Sequence, residues 1–336
     1  MFAEFAVSGI AARVYARCVT NAGGDMLVAA PDGWDEACFA VPVMRAVLAS
    51  GLATGVLCRE MQADFWRTLP GLEVISMPAK AKPKALAEQL RGTWQAALLW
   101  EAGTAADSAA LADIPRRLGP AIRPLAKRLT HPLPCTEEPQ THRVRFYLSL
   151  IEQAGIHTGD PGFFAPADLG IAPEPGTVLL SPDSDFGPSH EWPLDRWVEI
   201  SRMLLESGCR ITVAGMHATG GPARQLAAAL GGEMPFFHAS PLVGALPLLA
   251  VHALVVAADG SLPHLAAHAG ATCITLFGPN DPVWKRPLGK RHAVVRHHVE
   301  CAPCLMAKCP LDMRCQRELD VERVWAAVAA KWNRAG

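Results

Sequence analysis

Short, nearly uniform apolar runs recur along the chain, separated by stretches in which apolar residues return at helical spacing. Met26–Ala30, Thr54–Cys58, Leu72–Ser76 and Ala96–Trp100 are strand-sized runs in the first half, with a helical pattern over Val41–Leu48. Val178–Ser181, Arg210–Ala214, Ala253–Ala257 and Thr272–Phe277 repeat the rhythm in the second half. Leu194–Ser207, closed by Gly208, reads as a helix, as do Ala218–Leu230 and Leu242–Ala250. Strands alternating with helices predict parallel βαβ units, and runs this apolar suit strands covered on both faces.

The rhythm breaks once. Residues 159–176 hold four prolines and four glycines, the composition of a connector. The pattern therefore predicts an α/β chain of two doubly wound domains facing each other across a cleft. The expected bounds are 1–165, 166–318 with a cysteine-rich loop at 301–315, and a C-terminal helix at 319–336 packing back on the first domain. In such sheets ligands bind beyond the carboxyl ends of the strands.

Composition narrows the function classes. The 336 residues are 50% apolar and 19% charged, with a formal net charge of -1. That leaves no global field for gripping nucleic acid or an anionic membrane. The first 25 residues are apolar but interrupted by Glu4, Arg13 and Arg17, unlike a signal peptide or a bilayer span. They predict an amphipathic helix, with Phe2, Phe5, Ile10 and Val14 on one side, that caps the first domain or leans on a membrane. Of ten cysteines, Cys18, Cys38, Cys58, Cys135, Cys209 and Cys273 stand singly, as small core residues do in a reducing compartment. A cytoplasmic protein is expected, at most peripheral at an inner membrane.

Two loops after strands invite chemistry. Ala258-Asp-Gly-Ser-Leu-Pro-His264 follows one apolar run and opens a helical pattern. A Gly-Ser pair at a helix start presents backbone N–H groups and a positive dipole end, which suits a diphosphate. The residues alone favour an ordinary N-cap by Asp259 or Ser261. The second loop, Ser181-Pro-Asp-Ser-Asp-Phe-Gly-Pro-Ser-His-Glu-Trp-Pro193, is polar, with Ser181 and Ser184 at its start.

The run Asp259–Gly289, with HLAAHAGATCITLFGPNDPVWKRPLG from His264, resembles the signature of family-9 glycosyltransferases, the ADP-heptose:lipopolysaccharide heptosyltransferases. That family carries Asp-(Ser/Thr)-Gly-x-x-His-Leu-Ala-Ala and then Phe-Gly-Pro-Thr-Asp-Pro. FGPSHEWPLDRW is similar to its Phe-Gly-Pro-Ala-Lys-x-Trp-Pro segment, and C-x2-C-x4-C-P-x4-C also recurs there. The likeness is strong over about residues 178–330 and thinner earlier, where DGWDEACFAVPVMRAVL and THRVRFYLSLIEQAGI carry it.

The resemblance implies a GT-B architecture of two Rossmann-like domains, an acceptor domain followed by a nucleotide-sugar domain. It also implies inverting transfer of a heptose or similar sugar from an ADP-sugar to an anionic glycan or glycolipid acceptor, without a catalytic metal. Ser181, Ser184, His190, Asp259, Gly260, Ser261, His264 and Gly278 are the implied donor residues. The family's base is an aspartate six residues before a proline. Counting back from Pro42 gives Glu36, with Asp35 beside it as the substitute; without the family, either would be read as a helix cap.

Three departures fall inside the implied site. His190 replaces a lysine and so removes a permanent charge. Asp259-Gly260-Ser261 inverts the usual order, and Asp183 stands where a glycine follows the proline, adding a carboxylate that would repel a diphosphate unless it points away. Arg59, Arg117 and Arg143, with Arg67, Arg116 and Arg145, are candidate contacts for an anionic acceptor. Surface arginines are usually just solvated.

Cys301, Cys304, Cys309 and Cys315 are separated by two, four and five residues, a spacing that lets one loop surround a tetrahedral ion. Structural iron or zinc is one reading and a bare thiol cluster the other; some relatives that glycosylate autotransporter adhesins hold iron on four cysteines. Two alternatives to an active transferase remain: a catalytically weak nucleotide-sugar-binding relative, and a metal-knuckle interaction protein.

Overall fold

The computed structural model describes residues 25–135, 141–217, 219–231, 235–239 and 242–332. The expected N-terminal amphipathic helix and Cys18 lie outside them. The chain divides into two compact units: residues 1–32 with 39–164, and residues 33–38 with 165–336. Gly33–Cys38, a loop end and the first turn of the helix Trp34–Ala49, thus groups with the second unit.

The first unit holds a six-stranded sheet of Met26–Ala29 (β1), Thr54–Arg59 (β2), Leu72–Met77 (β3), Ala96–Leu98 (β4), Arg116–Pro120 (β5) and His131–Leu133 (β6). Its spatial order is β3-β2-β1-β4-β5-β6, and every pair is parallel. The second unit's sheet comprises Glu174–Ser181 (β7), Arg210–Gly215 (β8), Phe236–His238 (β9), His252–Ala258 (β10), Thr272–Phe277 (β11) and Ala293–Arg296 (β12). Its order, β12-β11-β10-β7-β8-β9, is the same winding, again all parallel.

Central strands are the apolar ones for a physical reason. β10, HALVVAA, is buried at every position because helices cover both faces of its sheet. On one face Val178, Leu180, Leu254, Val256, Ile274 and Leu276 pack against Trp197, Ile200, Leu204 and Leu226. Burying each such side chain stabilises the fold by about 1.5–3 kcal/mol. Trp192 fills the same core, its ring 5.4 Å from that of Trp197, and its indole N–H donates to Leu319 O at 2.9 Å.

The closing helix Val321–Trp332 buries Val321, Val324 and Val328 in the second unit's core. Those residues repeat at three and four positions and make one apolar stripe, which the open face of β10–β12 accepts. The residue 159–176 connector is less irregular than its composition: β7 already begins at Glu174.

Candidate functional site

In each sheet the winding reverses between the first and fourth strands, β1 and β4 in one and β7 and β10 in the other. Ligands of such sheets lie beyond the strand ends at that reversal. The loops after β7 and β10 are therefore neighbours in space. Ser184 Oγ donates to Asp259 O at 2.6 Å and accepts the Phe186 N–H at 3.1 Å, tying the two loops together.

Asp259 is fully buried and organises the site. His190 Nδ1 meets its Oδ2 at 3.0 Å, and Asn280 Nδ2 donates to the same oxygen at 2.7 Å, while Oδ1 has no hydrogen-bond partner. Burial raises the Asp259 pKa; His190, Asn280 and the charge of Lys285 pull the other way without overcoming it. His190 is itself held from behind, since Gln316 Nε2 donates to its carbonyl at 3.0 Å. Gly278 is required there: a Cβ would collide with the Gln316 amide.

Asp183 and Asp185 of the β7 loop each accept N–H groups at a helix start. Asp183 accepts N–H groups from Met216 (2.8 Å), His217 (3.3 Å) and Ala223 (2.8 Å), which turns its charge toward the helix Gly221–Ala229. Asp185 Oδ1 accepts the Ser261 N–H at 2.8 Å, at the opening of the helix Ser261–His268. A Cβ on Gly260 would stand 2.8 Å from that oxygen and 3.2 Å from Ser184 Oγ. The helix start thus already holds an anionic group, as the dipole argument requires. Pro263 contributes no N–H, so the donors there are fewer than a four-residue helix start normally offers. Ser181, Ser261 and His264 are buried around this point, and Ser181 Oγ has no hydrogen-bond partner.

The two candidate bases open the helix Trp34–Ala49. Asp35 is buried, and Lys285 Nζ meets its Oδ2 at 2.8 Å and Glu36 Oε1 at 3.2 Å. All three belong to the second unit. Asp185, Asn280, Lys285 and Gln316 are the residues that sequence reasoning missed; the first three stand inside segments quoted for their neighbours and Gln316 directly follows Cys315, with no local pattern marking any of them.

The candidate acceptor arginines do not gather. Arg59 ends β2 and makes two hydrogen bonds to Asp32, at 2.8 and 2.6 Å. Arg117 lies near the start of β5, the opposite end of the same parallel sheet, and donates to the carbonyls of Arg128 and Ile114. It is a strut between neighbouring turns. Arg143 stacks over the Phe146 ring at 4.1 Å.

Of the four clustered cysteines Cys315 is buried and Cys301 exposed, with Cys304 and Cys309 between. Burial pushes the Cys315 thiol up to about 11, with Cys304, Cys301 and Cys309 adding to the rise. The sulfurs therefore feel one another, although they do not all lie within 4.8 Å; among the described residues the group that does is Asp183, Glu191 and His217. Thiols suit soft metal ions. The same segment meets the loop after β7: Ser189 N–H donates to Ala307 O at 3.2 Å, and Ser189 Oγ donates to Met306 O. Leu305 N–H reaches Pro279 O at 2.9 Å. The cysteine loop is a brace for the site. No helix among the described residues is long and apolar enough to cross a membrane.

Residues 160–314 match the family model described as glycosyltransferase family 9 (heptosyltransferase). Lipopolysaccharide heptosyltransferase 2 of Salmonella typhimurium is 25% identical over 135 residues, 39% of this chain and 39% of that protein. The sequence match thus spans about two fifths of that relative. Among solved structures, ADP-heptose lps heptosyltransferase II of E. coli superposes with a TM-score of 0.74 at 17% identity, covering 92% of this chain and 99% of that one. The iron-containing dodecameric glycosyltransferase TibC from enterotoxigenic E. coli gives 0.60 at 14% identity, covering 93% and 79%. The fold is that of the GT-B heptosyltransferases.

Proposed function

We propose, from the match of residues 160–314 to the glycosyltransferase family 9 model, that the protein is an inverting transferase of that family. It moves a heptose or similar sugar from an ADP-sugar to a lipopolysaccharide-core or other surface-glycan acceptor. The observation that carries this reading is the carboxylate of Asp185 on the Ser261 N–H: the helix opening at the sheet's reversal selects an anion. A donor diphosphate turns Asp185 aside and takes that position, beside Ser181, Ser184, Gly260 and His264. His190 donates to it from a ring fixed by Asp259, and Gly278 leaves room for the Gln316 contact that steadies His190.

Glu36 then accepts the acceptor hydroxyl's proton as its oxygen bonds to the anomeric carbon. The anomeric carbon–oxygen bond to the diphosphate breaks, and the electron pair leaves on ADP. Asp35 substitutes as base if the loop shifts by one residue. The acceptor half of the reading is held by Arg59 and Arg143, an anionic glycan being the partner that arginines suit.

Structural iron or zinc on Cys301, Cys304, Cys309 and Cys315 belongs to the same proposal, supported by the thiol donor set and by the iron-containing relative. The metal would gather the loop that braces the site and takes no part in the transfer.

Replacing Glu36 by Gln tests the reading. Transfer from ADP-heptose should fall by about 10²–10⁴-fold, the usual worth of a positioned base, while calorimetry shows ADP affinity nearly intact. Turnover that survives Glu36→Gln and is lost in Asp35→Asn would move the base to Asp35. Binding of ADP-heptose without transfer to any glycan in the wild type would favour the catalytically weak relative.

A further inference from the structure

The transfer described above leaves the half-buried Lys285 unused. Lys285 ends the short helix Pro282–Lys285, and its side chain is 16% exposed. Its ammonium touches both candidate bases, at 2.8 Å from Asp35 and 3.2 Å from Glu36. It also lies 5.7 Å from the centre of the Phe186 ring, whose edge-on partner at 5.6 Å is His190. A single phenyl ring therefore separates this ammonium from the imidazole assigned to the diphosphate, and its charge reaches Asp259. Burial works against charge on Lys285, but the two carboxylates outweigh it and leave the pKa raised, so the residue remains an ammonium.

In that geometry each candidate base has one oxygen occupied by the ammonium. Releasing the ammonium frees that oxygen for the acceptor hydroxyl. Position 190 is a histidine, whose charge depends on protonating the imidazole, whereas Lys285 brings a permanent charge from outside the loop.

We propose that Lys285 is a catalytic residue that exchanges partners, holding Asp35 and Glu36 in the donor-free protein and moving to the donor's diphosphate when it binds. Donor binding then both neutralises the leaving group and frees the acid that takes the acceptor proton. When the anomeric carbon–oxygen bond breaks, the electron pair settles on a phosphate oxygen beside the ammonium. The order of events follows: no donor, no free base, and so no stray chemistry at Glu36. This inference rests on the transferase reading and adds a regulatory step to it.

Calorimetric titration of the full chain with ADP tests the exchange. Lys285→Met should weaken ADP binding by about 10- to 100-fold, as for the loss of one charge-assisted hydrogen bond, and Lys285→Arg should recover most of it. Asp35→Asn should strengthen ADP binding when Lys285 is present and leave it unchanged in Lys285→Met, because the gain is the release of the lysine. A purely structural lysine would give no such coupling. ADP binding equal in wild type and Lys285→Met overturns the exchange and leaves the transferase reading standing. If Lys285→Met does not fold, Asp35→Asn alone decides: unchanged ADP affinity overturns the exchange. A wild type that binds neither ADP nor ADP-heptose overturns the transferase reading first, and the exchange with it.

Discussion

The two units wind their sheets in the same order but place their polar groups differently. In the first, charged side chains pair on the surface: Arg67 with Asp64, Arg91 with Asp113, Arg128 with Asp107 and Arg145 with Glu152, each side chain at least 36% exposed. In the second, Ser181, Asp183, Ser184, His190, Asp259, Ser261 and His264 are buried together at the ends of β7 and β10. Identical topology therefore does not impose a polar interior. Burying an ionisable group without full compensation costs stability, and Asp259, with one oxygen unpartnered, is not fully compensated. On the proposed transferase reading, such a cost is kept in the second unit because an anion is recognised there.

The largest expected effect tests that contrast at its centre. Asp259→Ala strands the His190 and Asn280 donors in a closed interior and should lower unfolding free energy by about 3 kcal/mol in urea titrations. Asp259→Asn retains an oxygen for both donors and removes the desolvated charge, so at neutral pH it should be as stable as wild type or more so. Folding raises the Asp259 pKa above its ordinary 3.8, meaning the folded protein binds the proton more tightly than the unfolded chain. The resulting stability is present below pH 3.8 and is lost as pH rises through the raised value. Urea curves across that window should show the decline in wild type and lose it in Asp259→Asn. A stabilised Asn variant that no longer binds ADP would make the trade between stability and recognition explicit.

How much of this was legible beforehand follows from where the signal lay. Central strands such as β10 and β11 declare themselves as apolar runs because helices cover both faces. The penultimate strand Arg116–Pro120 and the edge strands His131–Leu133, Phe236–His238 and Ala293–Arg296 escape, being three to five residues long and mixed with arginine, proline or histidine. Site residues stood out where a family motif named them. Their partners did not, because Asp185 reaches a residue 76 positions away, Gln316 one 126 away and Lys285 one 250 away. No local spacing encodes such meetings. Asp183 could be weighed as a repulsive charge from the sequence, but its capture by Met216, His217 and Ala223 could not.

A middle-sized effect sharpens the comparison within the second unit. Replacing both Cys301 and Cys304 by Ser should remove bound metal, measured by plasma mass spectrometry against wild type grown with iron or zinc. Because residues 305–307 brace Ser189 and Pro279, the same variant should weaken ADP binding although neither cysteine lies on the donor. Metal-free wild-type protein with full ADP affinity would reduce the cysteines to a surface loop.

The smallest effect belongs to the first unit, and its smallness is the point. Arg67 and Asp64 sit three positions apart with side chains 59% and 69% exposed, so water screens their attraction and both lose rotamer freedom in pairing. Arg67→Ala should change unfolding free energy by no more than about 0.5 kcal/mol, with little further change when salt is raised. Arg145→Ala, whose Glu152 partner is somewhat less exposed, should behave alike. If either arginine instead weakened ADP-heptose turnover while leaving stability and ADP affinity untouched, its surface charge would be acting on the acceptor. The division between a recognising unit and a merely well-packed one would then fail at that residue.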